Sequence, residues 1–178
     1  GDLHTYADLI AGEAATQAIE SDTIQTGTQY GLFDELQFNI GTCQDETLLN
    51  PFTNAKIREA MNYAIDRNYV AQELYNGLAV PKYTTIAEAS ADRARFAAEI
   101  RAIEGKYAYN LETARELITA EMEGMGAELV DGKWTFNGEP ITLIFLIRVE
   151  DTRLAIGGYI ATQLEELGFT VERVERTS

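Results

Sequence analysis

Cysteine and histidine are almost absent from this chain, which contains one of each, Cys43 and His4. A single cysteine excludes an internal disulfide and a cysteine-rich zinc site. The residues after Cys43 are Gln44, Asp45 and Glu46, and these carboxylates disfavour a thiolate, so we expect no nucleophilic role for the thiol. The sequence therefore predicts neither a metal site nor a bound cofactor.

Basic residues are missing from the first 55 positions, because all 14 Lys and Arg residues follow Ala55. With 29 acidic residues the formal net charge is −15, and a surface of this sign repels phosphate backbones. Nucleic acid is therefore not an expected partner, and solubility is the simplest explanation of the charge.

Long apolar runs are missing too. The longest, Ile141 to Ile147, is the length of a strand, whereas a membrane-spanning helix needs about 20 apolar residues.

The common enzyme motifs are also missing. The chain has no Gly-x-Ser-x-Gly elbow, no phosphate-binding glycine loop and no His-Glu-x-x-His pair. Neighbouring carboxylates do occur, as in Glu165-Glu166, but adjacent side chains on a helix diverge by about 100° and do not face one substrate. We therefore predict no catalytic residues.

The most informative segment runs from Asn50 to Ile86 and predicts two consecutive helices. Asn54 and Asp66 are suited to cap the two helices, and Gly77 is placed to end the second. Apolar and small residues recur at helical spacing over positions 57–65 and 70–75. From this spacing we expect four side chains in the core, Ile57, Met61, Ile65 and Leu74.

Regular patterns continue on both sides of this helix pair. Leu36 to Ile40 alternates apolar and polar residues and predicts a half-buried strand. Ser90 and Asn110 are suited to cap a third and a fourth helix. The third is expected to bury Phe96, Ala97, Ile100 and Ile103, and the fourth Leu111, Ala114, Ile118 and Met122.

The last fifty residues change from helical to strand periodicity. Asp131-Gly132 and Asn137-Gly138 are turn dipeptides that predict a small hairpin. A strand over 141–149, a helix over 151–167 capped by Asp151 and a strand over 169–174 follow with short connections. This order predicts a βαβ unit with parallel strands. We interpret residues 1–178 as a single α/β domain.

The helix pair contains a recognisable sequence motif. Its residues are Asn50-Pro51-Phe52, Arg58, Ala60, Tyr63-Ala64-Ile65-Asp66-Arg67, Gly77 and Pro81. Further matches are Phe38-Asn39 upstream, and Tyr109 to Ala114 and Gln163 to Glu172 downstream. The pattern resembles the family 5 solute-binding proteins of ABC importers, the dipeptide, oligopeptide and nickel receptors, and it covers most of the chain.

This resemblance implies part of the second lobe of a type II periplasmic-binding-protein-like fold, with a mixed sheet, flanking helices and a C-terminal βαβ unit. It implies an extracytoplasmic receptor that closes on a peptide or similar small solute and docks on ABC permease subunits, with any membrane anchor outside these residues. The family's Trp-x-x-Asp-Tyr-type ligand segment has no counterpart here, because the only tryptophan is Trp134 in the hairpin. We therefore expect a fragment that binds solute weakly. A sensor or structural module, or a hydrolase with catalytic residues elsewhere, are the alternatives.

Five residues are candidates for contact with a solute: Asn39, Tyr83, Tyr107, Arg148 and Arg153. Tyr83 and Tyr107 lie in predicted loops, where a flat ring and a hydroxyl suit a ligand groove. Arg148 and Arg153 lie where a strand meets a helix start, a place where parallel α/β sheets bind ligands, and either can bind a carboxylate through two hydrogen bonds. The alternative is that the tyrosines border the core and the arginines pair with nearby carboxylates.

Overall fold

The regular structure in the first two thirds of the described chain is helical, and two small sheets enter in the last third. The computed structural model describes residues 12–27 and 32–177. The helices are α1 (Gly12–Ile19), α2 (Ala55–Ala64), α3 (Arg67–Tyr69), α4 (Ala91–Arg95), α5 (Ala97–Lys106), α6 (Leu111–Gly124) and α7 (Arg153–Glu166). The strands are β1 (Glu128–Val130), β2 (Lys133–Phe136), β3 (Glu139–Pro140), β4 (Thr142–Arg148) and β5 (Thr170–Arg176). Within the described residues, no helix combines the length and the apolar character needed to cross a membrane.

The predicted helix pair is confirmed as α2 and α3, with α3 continuing into a π-helical turn over Val70–Leu74. The Asn54 side chain accepts the Lys56 N–H at 2.8 Å, and the Asp66 side chain accepts two N–H groups of α3. Gly77 adopts φ +74° where the turn ends, a conformation that glycine adopts without strain.

The core residues expected from this pair divide into two groups. Ile57 and Met61 are buried in the main cluster, as predicted. Ile65 and Leu74 are only partly buried and pack against the cluster from outside. The helix pair therefore presents one fully buried face, on α2, and that face lies against α6.

The third predicted helix is interrupted. Phe96 adopts φ −105° and ψ 25°, which separates α4 from α5, and α5 continues through Gly105 to Lys106. Ile100 is buried, but Phe96 is exposed, with the Arg95 guanidinium carbon 5.0 Å from its ring centroid. An exposed ring at a helix break explains why the predicted apolar face is not continuous. The fourth helix is confirmed as α6, with Asn110 as its cap and Ala114, Ile118 and Met122 buried.

The strand from Leu36 to Ile40 was predicted wrongly, because this segment has no regular structure. Its alternation holds only in part, since Leu36 and Phe38 are partly buried against the core and Gln37 is exposed, but Ile40 is 62% exposed. The backbone pairs with a side chain instead of a strand. The Asn50 amide group donates to the carbonyl oxygens of Asn39 and Gly41, both at 2.8 Å.

The expected strands form two sheets in place of one mixed sheet, within the α/β class that was predicted. Strands β1, β2 and β3 are antiparallel, and β4 pairs with β5 in parallel. Both turn dipeptides adopt positive φ throughout, so the hairpin is confirmed. Trp134 joins the first sheet to the connection between α7 and β5, because its N–H donates to the Gly168 carbonyl at 2.9 Å and its indole N–H to the Leu167 carbonyl at 2.9 Å.

The predicted βαβ unit is confirmed. Strands β4 and β5 pair in parallel from Thr142↔Thr170 to Arg148↔Arg176, and α7 packs on one face of the pair. The Asp151 side chain accepts the Arg153 N–H at 3.0 Å. Asp151 lies one residue before Thr152, which is the N-cap residue of α7. The apolar face of α7 is buried as expected, from Ile156 through Ile160 to Leu164. The extent of the domain over residues 1–178 stays a prediction.

Candidate functional site

The carboxyl edge of β4 and β5, meaning the side of this sheet where Arg148 and Arg176 end the strands, collects charged side chains. Arg148 Nε lies 2.7 Å from a Glu150 oxygen. Arg153, the first residue of α7, donates from Nε to Asp151 Oδ1 at 2.7 Å. The arginines therefore pair with neighbouring carboxylates, which is the alternative considered for them from the sequence.

A second group of residues reaches this edge from distant parts of the chain. The Tyr75 hydroxyl, just after the π-helical turn, donates to the Asp34 carboxylate. Another oxygen of Asp34 lies 4.0 Å from Arg153 Nε. We call Asp34, Tyr75, Asp151 and Arg153 the edge cluster, because they connect the extended segment, the helix pair and α7 at one place.

The pKa values in the edge cluster follow from these contacts. Hydrogen bonds from Arg153 hold the pKa of Asp151 at about 2, below its ordinary value of 3.8. Burial, together with the adjacent Asp34 carboxylate, raises the pKa of Tyr75 above its ordinary value. Near neutral pH the cluster thus consists of charged Asp151 and Arg153 beside a neutral phenol. Such groups can bind and orient a polar solute.

Tyr83 lies on a groove of about 360 Å³ between the segment after the helix pair and α5. The Arg67 guanidinium carbon lies 4.4 Å from the centroid of the Tyr83 ring, a cation–π contact. Arg93, on the same groove, bridges Glu88 at 3.1 Å and Glu104 at 2.9 Å. The groove is therefore lined by a tyrosine ring and by one arginine that pairs with two glutamates, which leaves one negative charge in excess.

Tyr107 and Asn39 have internal partners and are neither among the residues that line the groove nor part of the edge cluster. The Tyr107 hydroxyl donates to Glu59 at 2.8 Å, and its ring lies 5.5 Å from that of Tyr63. The Asn39 side chain accepts the Gly41 N–H at 2.9 Å. The structure thus brings Arg148 and Arg153 to one edge and places Tyr83, Tyr107 and Asn39 elsewhere, and solute binding by any of the five stays a prediction.

Asp34, Tyr75 and Arg176 also lie at the carboxyl edge, and none of them was among the five candidates from the sequence. Asp34 and Tyr75 are 41 positions apart, so no local pattern links them. Arg176 lies beside Arg148 only through the strand register, although its position at the end of the predicted closing strand was a usable signal. Over the described ranges, no three His, Cys, Asp or Glu side chains are grouped in a way that could hold a metal ion.

Several solved structures have a fold similar to that of this chain. Similar chains include the oligopeptide-binding protein OppA (TM-score 0.56, 19% identity, covering 76% of this chain and 20% of that one). A periplasmic oligopeptide-binding protein from Thermotoga maritima, solved with mannohexaose, gives a TM-score of 0.56 at 22% identity, covering 71% of this chain and 24% of that one. NikA from Brucella suis, solved with Fe(III)-EDTA, gives 0.52 at 16% identity, with coverage of 71% and 24%.

These identities are low, so the three structures establish a shared fold and nothing finer. The chain spans between 20% and 24% of the length of each of them. No curated protein matches the sequence. The model of the bacterial extracellular solute-binding proteins, family 5 Middle, matches residues 1–176, which is almost every position. With that match and the fold in agreement, the chain belongs to the bacterial extracellular solute-binding proteins of family 5.

Proposed function

We propose that these residues form part of the substrate-binding component of an ABC-type importer, which captures a peptide or a similar small solute and delivers it to a permease. The observation that carries the proposal is the family match over residues 1–176. The family is one of extracellular proteins, so the chain belongs outside the cytoplasm, in the periplasm or at the cell surface.

The carboxyl edge is the part of the structure best suited to hold the solute. In open α/β sheets, ligands bind beyond the carboxyl ends of the strands. Arg148 and Arg153 supply cationic donors there, and their side chains are 40% and 37% exposed. Ion pairs this exposed contribute about 0–1 kcal/mol, so a solute carboxylate can replace a local partner at little cost.

The family relatives do not point to one solute. The structures compared above were solved with mannohexaose in one case and Fe(III)-EDTA in another, and a third is named for oligopeptides. A solute panel must therefore include peptides, oligosaccharides and metal chelates. The family is defined by solute binding, and we infer no catalytic activity for this member.

Calorimetry of the 178-residue chain and of the complete gene product, each titrated with this panel, tests the proposal. We expect micromolar binding of one solute class by the complete protein and millimolar binding by the chain alone. Enclosure between two lobes removes most of a ligand from water, and the loss of half the binding energy of a micromolar ligand is about 4 kcal/mol, or a factor of about a thousand.

The two arms give distinct outcomes. Micromolar binding by the chain alone would contradict the two-lobe reasoning and favour a self-contained binding module. Absence of binding by the complete protein across all solute classes would contradict the transport proposal and favour a sensor or structural role. Turnover of a peptide or sugar during the titration would instead favour a hydrolase.

A further inference from the structure

The chain contains two Asn-Gly dipeptides, Asn76-Gly77 and Asn137-Gly138. Both lie in exposed turns, and all four residues adopt positive φ, between 50° and 84°. An asparagine followed by glycine is open to attack by the glycine nitrogen on the asparagine side-chain carbonyl carbon, because glycine has no side chain to hinder the approach. The presence of the same dipeptide in two turns of one chain shows how the fold controls this reaction.

The reaction needs water and no other partner. At the second dipeptide, the amide nitrogen of Gly138 loses its proton to solvent and forms a bond with Cγ of Asn137. The bond from Cγ to Nδ2 breaks, and the leaving nitrogen takes up a proton from solvent and departs as ammonia. The product is a five-membered cyclic imide. Water then opens either of the two carbonyl–nitrogen bonds of this ring, which leaves aspartate or isoaspartate at position 137.

The fold opposes this reaction at Asn76-Gly77. Closure of the planar ring requires rotation about the Cα–C bond of the asparagine, which moves the nitrogen of the following glycine. The Gly77 N–H donates to the Ala71 carbonyl at 2.9 Å. The next N–H, that of Leu78, donates to the Tyr75 carbonyl at 2.9 Å. The rotation therefore breaks at least the first of these hydrogen bonds, which involves the attacking nitrogen itself.

The tip of the hairpin between β2 and β3 lacks this protection. The Gly138 N–H has no hydrogen-bond partner among the described residues, and a Cβ placed on Gly138 would meet nothing within 4 Å. Strand β3 has two residues, and one of them is Pro140, which has no N–H to donate. The Asn137 amide group donates to the Thr47 carbonyl at 3.4 Å, a long and therefore weak hydrogen bond. This turn can open at a lower cost than the turn at Asn76.

We propose that Asn137-Gly138 is a site of spontaneous deamidation in the folded protein, and that Asn76-Gly77 is protected from the same reaction. The inference is independent of the proposed function and of the identity of the solute. Aspartate replaces the amide donor to the Thr47 carbonyl by a carboxylate, and isoaspartate adds one backbone atom to a two-residue turn. Either product increases the negative charge of the chain and loosens the hairpin from the segment that contains Thr47.

The test follows both dipeptides in the complete gene product during incubation at mildly alkaline pH. Trypsin cleaves after Lys and Arg, so the two sites fall in separate peptides, residues 68–82 and 134–148. Mass spectrometry of samples taken over time measures the conversion of amide to carboxyl at each site, and chromatography separates the aspartate peptide from the isoaspartate peptide. Digestion in mildly acidic buffer limits further reaction during the measurement, because the attacking nitrogen must lose its proton.

We expect Asn137 to react about tenfold faster than Asn76 in the folded protein, because one more hydrogen bond opposes ring closure at Asn76. In concentrated urea the two sites should react at similar rates, since both are then unstructured Asn-Gly dipeptides. A folded protein in which Asn76 reacts as fast as Asn137 would overturn the proposal. So would a folded protein in which Asn137 stays unmodified over a period that converts it in urea.

Two variants assign the change to one dipeptide. Asn137→Gly and Asn76→Gly both keep positive φ without strain and both remove the side-chain amide. Isoelectric focusing of aged protein detects the added negative charge. Asn137→Gly should lose most of the acidic form that the wild type accumulates, whereas Asn76→Gly should accumulate it at the wild-type rate. Wild-type accumulation in Asn137→Gly, or an equal loss in both variants, would overturn the assignment.

Discussion

Replacement of Gly157 by alanine should destabilise the fold relative to the same change at Gly158, the next residue in α7. A Cβ added at Gly157 would lie 2.5 Å from Ile147 Cγ2 and 2.9 Å from Cγ1, whereas one at Gly158 would meet nothing within 4 Å. Carbon atoms pack best at about 3.5–4.0 Å, so roughly 1 Å of overlap must be relieved. Ile147 is buried and branched at Cβ, which leaves it few ways to move.

The two variants differ only in this steric effect. Gly→Ala in a helix interior stabilises by about 0.8–1.0 kcal/mol, and the gain applies at both positions. Overpacking a well-filled core costs about 1–3 kcal/mol, and this cost applies at Gly157 alone. Gly158→Ala should therefore raise the free energy of unfolding by about 1 kcal/mol, while Gly157→Ala should lower it by about 0–2 kcal/mol.

Urea denaturation followed by circular dichroism measures both values by linear extrapolation. The expected difference of about 1–3 kcal/mol corresponds to about 2–12 °C in melting temperature for a chain of this size. A difference below about 0.5 kcal/mol would refute the close approach of α7 to β4. As a further check, Ile147→Ala should cost less in the Gly157→Ala background than in the wild type, because the new methyl group fills part of the cavity.

Three other predictions test the core and the edge cluster. Met61→Ala should lower the free energy of unfolding by about 2–5 kcal/mol because Met61 is 3% exposed, while Ile144→Ala, at an exposed site, should stay within about 0.5 kcal/mol in the same urea assay. Trp134→Phe leaves a buried carbonyl without its 2.9 Å indole donor and should cost about 1–3 kcal/mol by the same measurement. The depressed pKa of Asp151, about 2 against 3.8, means that its contact with Arg153 stabilises the fold fully above pH 4 and is lost as the pH falls toward 2. The stability advantage of the wild type over Asp151→Asn should shrink over that interval, and an advantage that persists unchanged at pH 2 would show that the carboxylate charge is irrelevant.

Features that depend on a few adjacent residues could be predicted from the sequence. Asn54, Asp66 and Asn110 cap helices because a short polar side chain at that position accepts a free backbone N–H, whatever the rest of the fold does. The Asp-Gly and Asn-Gly turns follow from the ease with which these residues adopt positive φ. The βαβ unit was predictable because its three elements are consecutive and its connections short.

Features that depend on distant partners could not be predicted. The alternation identifies Leu36 and Phe38 as facing the core, although Ile40 is exposed. A strand also needs a neighbouring strand, and here the Asn50 side chain donates to the carbonyl oxygens of Asn39 and Gly41 instead. The pairing of Arg148 with Arg176 depends on the register of β4 against β5. A shift of one residue would put Arg176 on the opposite face of the sheet. The composition of the strands alone therefore does not determine which residue pairs with Arg148.

The packing of α7 on β4 connects a local feature of the sequence, Gly157, with a contact between distant residues, the edge cluster. Gly157 and Arg153 are four residues apart and therefore lie on one side of the helix. The absence of a side chain at Gly157 lets that side approach Ile147 closely, and the same approach brings Arg153 and Asp151 to the carboxyl edge of β4. A glycine inside a helix lowers stability by about 1 kcal/mol relative to alanine. At Gly157 this loss goes together with the close approach that positions the edge cluster one helical turn away. Any residue that separates α7 from β4 should therefore also move Arg153 relative to Asp34, so the stability of this contact and the geometry of the proposed solute site are expected to change together.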